Sequence, residues 1–141
     1  MMTLKGISHI TLICKDLKKS AGLFTELFGA LEVYSGEERT FSISKEKFLL
    51  IGTLWLALME GESVERSYNH VAFHVDEEDL PNFESKVRAC GLDILPGRPR
   101  HEREGKSVYF YDYDNHLFEL HAGDLQTRLN YYRGLVGADE T

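Results

Sequence analysis

The sequence predicts an α+β fold of two tandem βαβββ modules built around a metal site. Three observations carry that prediction. Gly6-Ile7-Ser8-His9-Ile10-Thr11-Leu12 aligns with Ser67-Tyr68-Asn69-His70-Val71-Ala72-Phe73, so His9 and His70 stand 61 residues apart. Leu54-Trp55-Leu56-Ala57-Leu58-Met59 aligns with His116-Leu117-Phe118-Glu119-Leu120-His121, which sets Ala57 opposite Glu119 at an offset of 62. Each repeat also places a helix-period segment, closed by a glycine, after its first strand. A duplicated unit offers four symmetric inward positions. With three of them filled by His9, His70 and Glu119, the layout is a metal site with one protein ligand removed, which leaves room for a substrate.

The elements follow in order. Residues 6–14 (GISHITLIC) alternate as a strand, with His9, Thr11 and Ile13 on one face. Asp16 caps a helix whose apolar positions Leu17, Ala21, Phe24, Leu27 and Phe28 recur at helical spacing, and Gly29 closes it. Strands are expected near 30–35, 47–51 and 54–60, separated by the polar stretch Ser35–Glu46 and by the Gly52-Thr53 turn. The second module repeats the order. A strand spans 68–75, and a helix starts at Asp76, where Glu77, Glu78 and Asp79 favour the positive end of the helix dipole. Leu80, Phe83, Val87 and Cys90 form its apolar stripe, and Gly91 caps it. After a strand at 92–95, residues 96–106 read as a charged loop of turn formers; strands at 107–112 and 116–121 complete the module. The modules are placed at 5–61 and 66–123, with a tail at 124–141 whose Leu125, Leu129, Tyr131 and Tyr132 suggest a short helix packed on the body.

Composition sets bounds on function. At 141 residues, 43% hydrophobic, the chain can bury one ordinary core or two modules of about 60 residues that share one. No leader-like stretch opens it, and no apolar run approaches the length of a bilayer span, so a cytoplasmic protein with no membrane partner is expected. A net charge of -7 argues against a general affinity for nucleic acid, although it leaves room for a local anion pocket. Cys14 and Cys90 lie in apolar sequence without CxxC spacing and read as reduced core residues.

A lone histidine on an apolar strand says little. Two at equivalent positions of a repeat, with a carboxylate at a third equivalent position where unpaired burial would be costly, say more. Two histidines and one carboxylate suit a divalent ion such as Mn, Fe, Zn or Ni with positions left open for substrate or water; the ligand types alone do not choose among these. His74 and His121 lie two residues along the same strands, as supporting groups or surface residues.

The paired βαβββ units with His9, His70 and Glu119 resemble the vicinal oxygen chelate superfamily, in which such modules form a cupped mixed sheet around a metal. Further stretches narrow this: Ser44-Lys45-Glu46-Lys47-Phe48, Gly52-Thr53-Leu54-Trp55-Leu56-Ala57, Arg66-Ser67-Tyr68-Asn69-His70, Ser107-Val108-Tyr109-Phe110-Tyr111-Asp112 and Asp114-Asn115-His116-Leu117-Phe118-Glu119-Leu120-His121. Together they resemble the fosfomycin-resistance proteins over roughly residues 5–130.

That resemblance implies a phosphonate epoxide as substrate, a divalent metal with Mn2+ first among the candidates, and a homodimer in which modules pair between chains. Within the family, thiol transferases add glutathione or bacillithiol to the epoxide, whereas FosX-type enzymes add water. The extended segment Ser35–Glu46, and Glu46 itself at the place of the hydrolase general base, favour the water-using branch. By position in the resembling motifs, Ser107, Tyr109 and Arg128 contact the phosphonate, and Tyr68, Lys106 and one of Arg98 and Arg100 add further donors. Thr11 binds the developing alkoxide. A thiol transferase, a drug-sequestering protein, a glyoxalase-like isomerase and an extradiol dioxygenase are the alternatives that the same fold allows.

Overall fold

Period-2 alternation of apolar residues, broken by capped helix-period segments, produces the same order of elements twice. The computed structural model describes residues 1–139, with side chains to residue 135. The elements of the first repeat are β1 (His9–Cys14), α1 (Leu17–Phe28), β2 (Leu31–Ser35), β3 (Glu46–Ile51) and β4 (Leu54–Glu60). Those of the second are β5 (His70–His74), α2 (Leu80–Ala89), β6 (Ile94–Leu95), β7 (Lys106–Tyr111) and β8 (Leu117–Ala122), followed by α3 (Leu125–Asp139). Two four-stranded mixed sheets result, ordered β1-β4-β3-β2 and β5-β8-β7-β6. In each, the first strand runs parallel to the fourth, and the other pairs are antiparallel.

The chain divides into two compact units, Met1–Arg66 with Tyr113–His116, and Ser67–Asp112 with the chain from Leu117 onward. The β7–β8 turn therefore groups with the first unit, where buried Asp114 acts as a hub. Its carboxylate accepts from Lys15 N at 3.0 Å, Ser20 Oγ at 3.3 Å and Ser63 Oγ at 2.7 Å.

Helix boundaries follow local chemistry. Asp16 accepts a bond from Lys19 N at the start of α1, and Gly29, at φ 64°, takes the left-handed conformation that ends it. The second helix differs from expectation. Asp76 makes no side-chain cap; Glu77–Asp79 form a 3₁₀ turn, and α2 begins at Leu80. Pro81 explains the shift, since a residue without an N–H and with a fixed φ is best placed in a helix's first turn. Likewise the strand expected at 92–95 shortens to two residues, and the tail helix runs 15 residues. No helix among the described residues is long and apolar enough to cross a membrane.

Strand alternation sorts the residues onto two faces. On one face of the first sheet Leu12, Cys14, Leu49, Leu56 and Leu58 are buried, with Leu23, Phe24 and Leu27 of α1. In the second unit Val108, Phe110, Phe118 and Leu120 are buried with Leu80 and Val87 of α2, while Phe83 and Cys90 are half-buried. Each fully buried Leu or Phe contributes about 1.5–3 kcal/mol. The opposite face of each sheet is free of its helix, and it carries the histidines.

Candidate metal and substrate site

In the second unit the β5–β8 and β7–β8 registers pair Glu119 with Ala72 on one side and Tyr109 on the other, so all three share the face that bears His70. His70 Nε2 lies 3.0 Å from Glu119 Oε1, and His70 Nδ1 lies 2.7 Å from the Tyr68 carbonyl oxygen. A carbonyl only accepts, so Nδ1 carries the proton, and in neutral imidazole Nε2 then presents a lone pair to the carboxylate. Two acceptors this close are joined by a shared proton or by a metal ion.

Glu119 is buried, and its other oxygen is held firmly. Ser107 Oγ donates to Oε2 at 2.6 Å, and His121 Nδ1 and Arg100 Nη2 stand 3.4 and 3.7 Å away. Burial alone would raise the carboxyl pKa. Hydrogen bonds from Ser107 and Tyr109, aided by His121 and Arg100, outweigh it and hold the group below its ordinary value. Arg100 also donates to Tyr109 OH at 3.0 Å, and burial, with hydrogen bonds involving Tyr68 and Glu119, pushes that phenol's pKa up. Tyr68 is exposed and sits edge-on to His70, with ring centroids 4.9 Å apart. Arg128 Nη2 reaches His121 Nε2 at 3.3 Å, and burial keeps the His121 pKa below its ordinary value. A cleft of about 360 Å³ opens here, lined by His70, His74, Glu119, His121 and Arg128 among others.

The first unit carries the remaining residues. His9 is exposed, bonds through Nδ1 to Ser8 Oγ at 3.0 Å and lies against the Trp55 ring at 4.2 Å between centroids. The β1–β4 and β3–β4 registers place His9, Thr11, Ala57, Phe48 and Glu46 on one face. Glu46, expected at the end of a loop, opens β3 and is half-buried; its carbonyl accepts from Gly36 N at 2.8 Å. Alternation sends its neighbour Lys47 to the other face, where the buried ammonium pairs with Glu32 at 2.9 Å and Glu37 at 3.5 Å. Lys47 therefore does not neutralise Glu46.

The predicted anion contacts divide. Arg100, Tyr109 and Ser107 gather at Glu119, and Arg128 stands at His121. Arg98 instead pairs with buried Glu104 at 2.8 Å, and Lys106, on the helix-side face of β7, pairs with Glu77 at 2.9 Å. One contributor escaped the sequence reading: Glu104 had only its place in a capping box with His101 as a signal. His121, read from the sequence as a supporting group or a surface residue, is half-buried beside Glu119. Among the described residues no three histidine, cysteine or carboxylate side chains gather so as to hold a metal ion. His70 and Glu119 belong to the second unit and His9 to the first.

The profile of the glyoxalase/bleomycin resistance protein/dioxygenase superfamily matches residues 6–120. The fosfomycin resistance protein FosX of Listeria monocytogenes is 52% identical over 130 residues, covering 92% of this chain and 98% of that protein. The metallothiol transferase FosB of Bacillus licheniformis is 36% identical over 133 residues, covering 91% of this chain and 82% of that protein. A crystal structure of a mutant Listeria monocytogenes FosX, complexed with Mn(II) and 1S,2S-dihydroxypropylphosphonic acid, superposes with a TM-score of 0.84 at 50% identity, over 92% of this chain and 99% of that one. The chain belongs to the glyoxalase/bleomycin resistance protein/dioxygenase superfamily and, within it, to the fosfomycin resistance proteins.

Proposed function

We propose that this protein is a metal-dependent epoxide hydrolase that adds water to fosfomycin, giving a vicinal diol and inactivating the antibiotic. The observation that carries the reading is the seat of Glu46: a carboxylate at the start of a strand, on the same sheet face as His9 and Thr11, with its lysine neighbour turned away. The greater identity to FosX than to the thiol-using FosB supports it, as does the vicinal diol held by the FosX crystal.

The donor set fits a divalent ion. His70 and Glu119 present paired acceptors 3.0 Å apart, and His9 supplies a second imidazole. Such an ion, Mn2+ by likeness to the FosX complex, supplies Lewis-acid polarisation of the epoxide carbon–oxygen bond. The chain's own residues do the rest. Glu46 takes a proton from water as the water oxygen bonds to the epoxide carbon. As the carbon–oxygen bond breaks, Thr11 donates a hydrogen bond to the released oxygen, which takes up a proton from solvent to complete the diol. Arg100 and Arg128 meet the phosphonate, with Tyr68 and Tyr109 beside them; the guanidinium fork suits its oxygens. Ser107, with its hydroxyl hydrogen on Glu119, and Arg98 and Lys106, each ion-paired, stand as supporting contacts.

The two units are each incomplete, and in this reading a cytoplasmic homodimer completes the site by setting the His9 face of one chain against the Glu119 face of its partner. Incubating purified protein with Mn2+ and fosfomycin, without any thiol, and following ³¹P resonances tests the hydrolase reading. The diol is expected; no reaction until a thiol is added would place the protein among the transferases.

A further inference from the structure

Beyond the groups that would touch metal or substrate, the second unit contains a chain of hydrogen bonds whose directions are fixed. Arginine only donates, so the 3.3 Å contact between Arg128 Nη2 and His121 Nε2 makes Nε2 the acceptor. The ring proton then sits on Nδ1, which donates to Ser107 Oγ at 2.7 Å. With its acceptor side occupied, the Ser107 hydroxyl delivers its one hydrogen to Glu119 Oε2 at 2.6 Å. Glu119 Oε1 is left facing His70 Nε2.

The seat of His121 is shaped for this ring. A Cβ on Gly123 would lie 2.8 Å from His121 Nε2. One on Gly105, where φ is +86°, would lie 2.6 Å from the Ala122 carbonyl oxygen and 3.1 Å from His121 Cε1. Two glycines thus let the backbone close around the imidazole, and its side chain is only 12% exposed.

We propose that His121 is a positioning residue: acting through Ser107, it orients the Glu119 carboxylate for the metal and ties that carboxylate to Arg128 on α3. The role rests on the reading of Glu119 as a metal ligand. Partners of this kind hold a ligating group at one rotamer, and their loss typically weakens metal affinity 10- to 100-fold.

The test is Mn2+ affinity of the full chain, read from the free-ion signal in electron paramagnetic resonance titrations. His121→Gln keeps a polar group near Nε2 for Arg128 but none for Ser107, and should bind about 10- to 100-fold more weakly. His121→Asn returns an N–H to the place of Nδ1 and should recover most of that loss. In a Ser107→Ala background, His121→Gln should add little, because the two act in series. Parent-like affinity in folded His121→Gln, or an undiminished loss in the Ser107→Ala background, would overturn the role. Should His121→Gln not fold, His121→Asn decides alone: binding near the parent supports it, and binding as weak as Ser107→Ala overturns it. A parent chain that binds no Mn2+ would instead remove the metal-ligand reading, and this role with it.

Discussion

Glu46 and Ser107 occupy equivalent places on the two sheets. Glu46 pairs across to Met59 as Ser107 pairs to His121, and each lies on the face that bears its unit's leading histidine. Their offset of 61 residues equals that between His9 and His70. One strand position thus carries a half-buried carboxylate in the first unit and, in the second, a hydroxyl that donates to Glu119.

If Glu46 is the general base, Glu46→Gln keeps the shape of the side chain but cannot take a proton. Turnover should fall by roughly 10² to 10⁴ while Mn2+ affinity stays at the parent value. Diol formation followed by ³¹P resonance, beside a metal titration, separates the two; hydration at the parent rate would return Glu46 to an ordinary strand-end charge.

If His9, His70 and Glu119 hold the metal, removal of any one of them should cost it. His9→Ala, His70→Ala and Glu119→Ala are each expected to lose stoichiometric divalent-ion binding in equilibrium dialysis. His9→Ala is the most informative, because His9 lies in the other unit from the pair at 3.0 Å. Full metal content in that variant would mean a site without His9.

Pairing of modules between chains makes a prediction that a site within one chain does not. A mixture of inactive His9→Ala and inactive Glu119→Ala proteins should regain activity once subunits exchange, since hybrid dimers contain one site with every ligand. No recovery, with exchange demonstrated by labelled subunits, would exclude the arrangement.

Acid should release the clamp on the 98–104 loop. Hydrogen bonding from Arg98, with the His101 backbone N–H and Tyr132, holds the Glu104 carboxyl at about 2 against an ordinary 4.5. A depressed folded-state pKa means that its stabilisation is fully present above about 4.5 and is lost as pH falls toward about 2. The gap in urea midpoint between the parent and Glu104→Gln should therefore be full at pH 6 and shrink across that window; a gap independent of pH would refute the clamp.

Asp114 offers a test of the first unit's integrity. Asp114→Ala strands the Lys15 N–H and two hydroxyls that now donate to it. A loss of about 1–3 kcal/mol is expected in chemical denaturation, the range for a buried donor left without a partner.

By itself the sequence determined the repeat, the order of strands and helices, and the residues that share the histidine face. Those properties reside in local alternation, caps and a fixed offset, which do not depend on distant partners. Even there, Pro81 moved a helix start that the acidic run at 77–79 had suggested earlier. Only the tertiary structure decided what the charged loop does. Arg98 and Arg100 are two residues apart and chemically identical, yet Arg98 is taken by Glu104 and Arg100 turns to Tyr109 and Glu119. Lys106 is one strand position from Ser107 and so faces the other way. His121, on β8, gained its place from Ser107 on β7, from Arg128 on α3 and from the clearance at Gly105 and Gly123. Such roles depend on which partner a flexible side chain meets across the fold, and no local periodicity records that encounter.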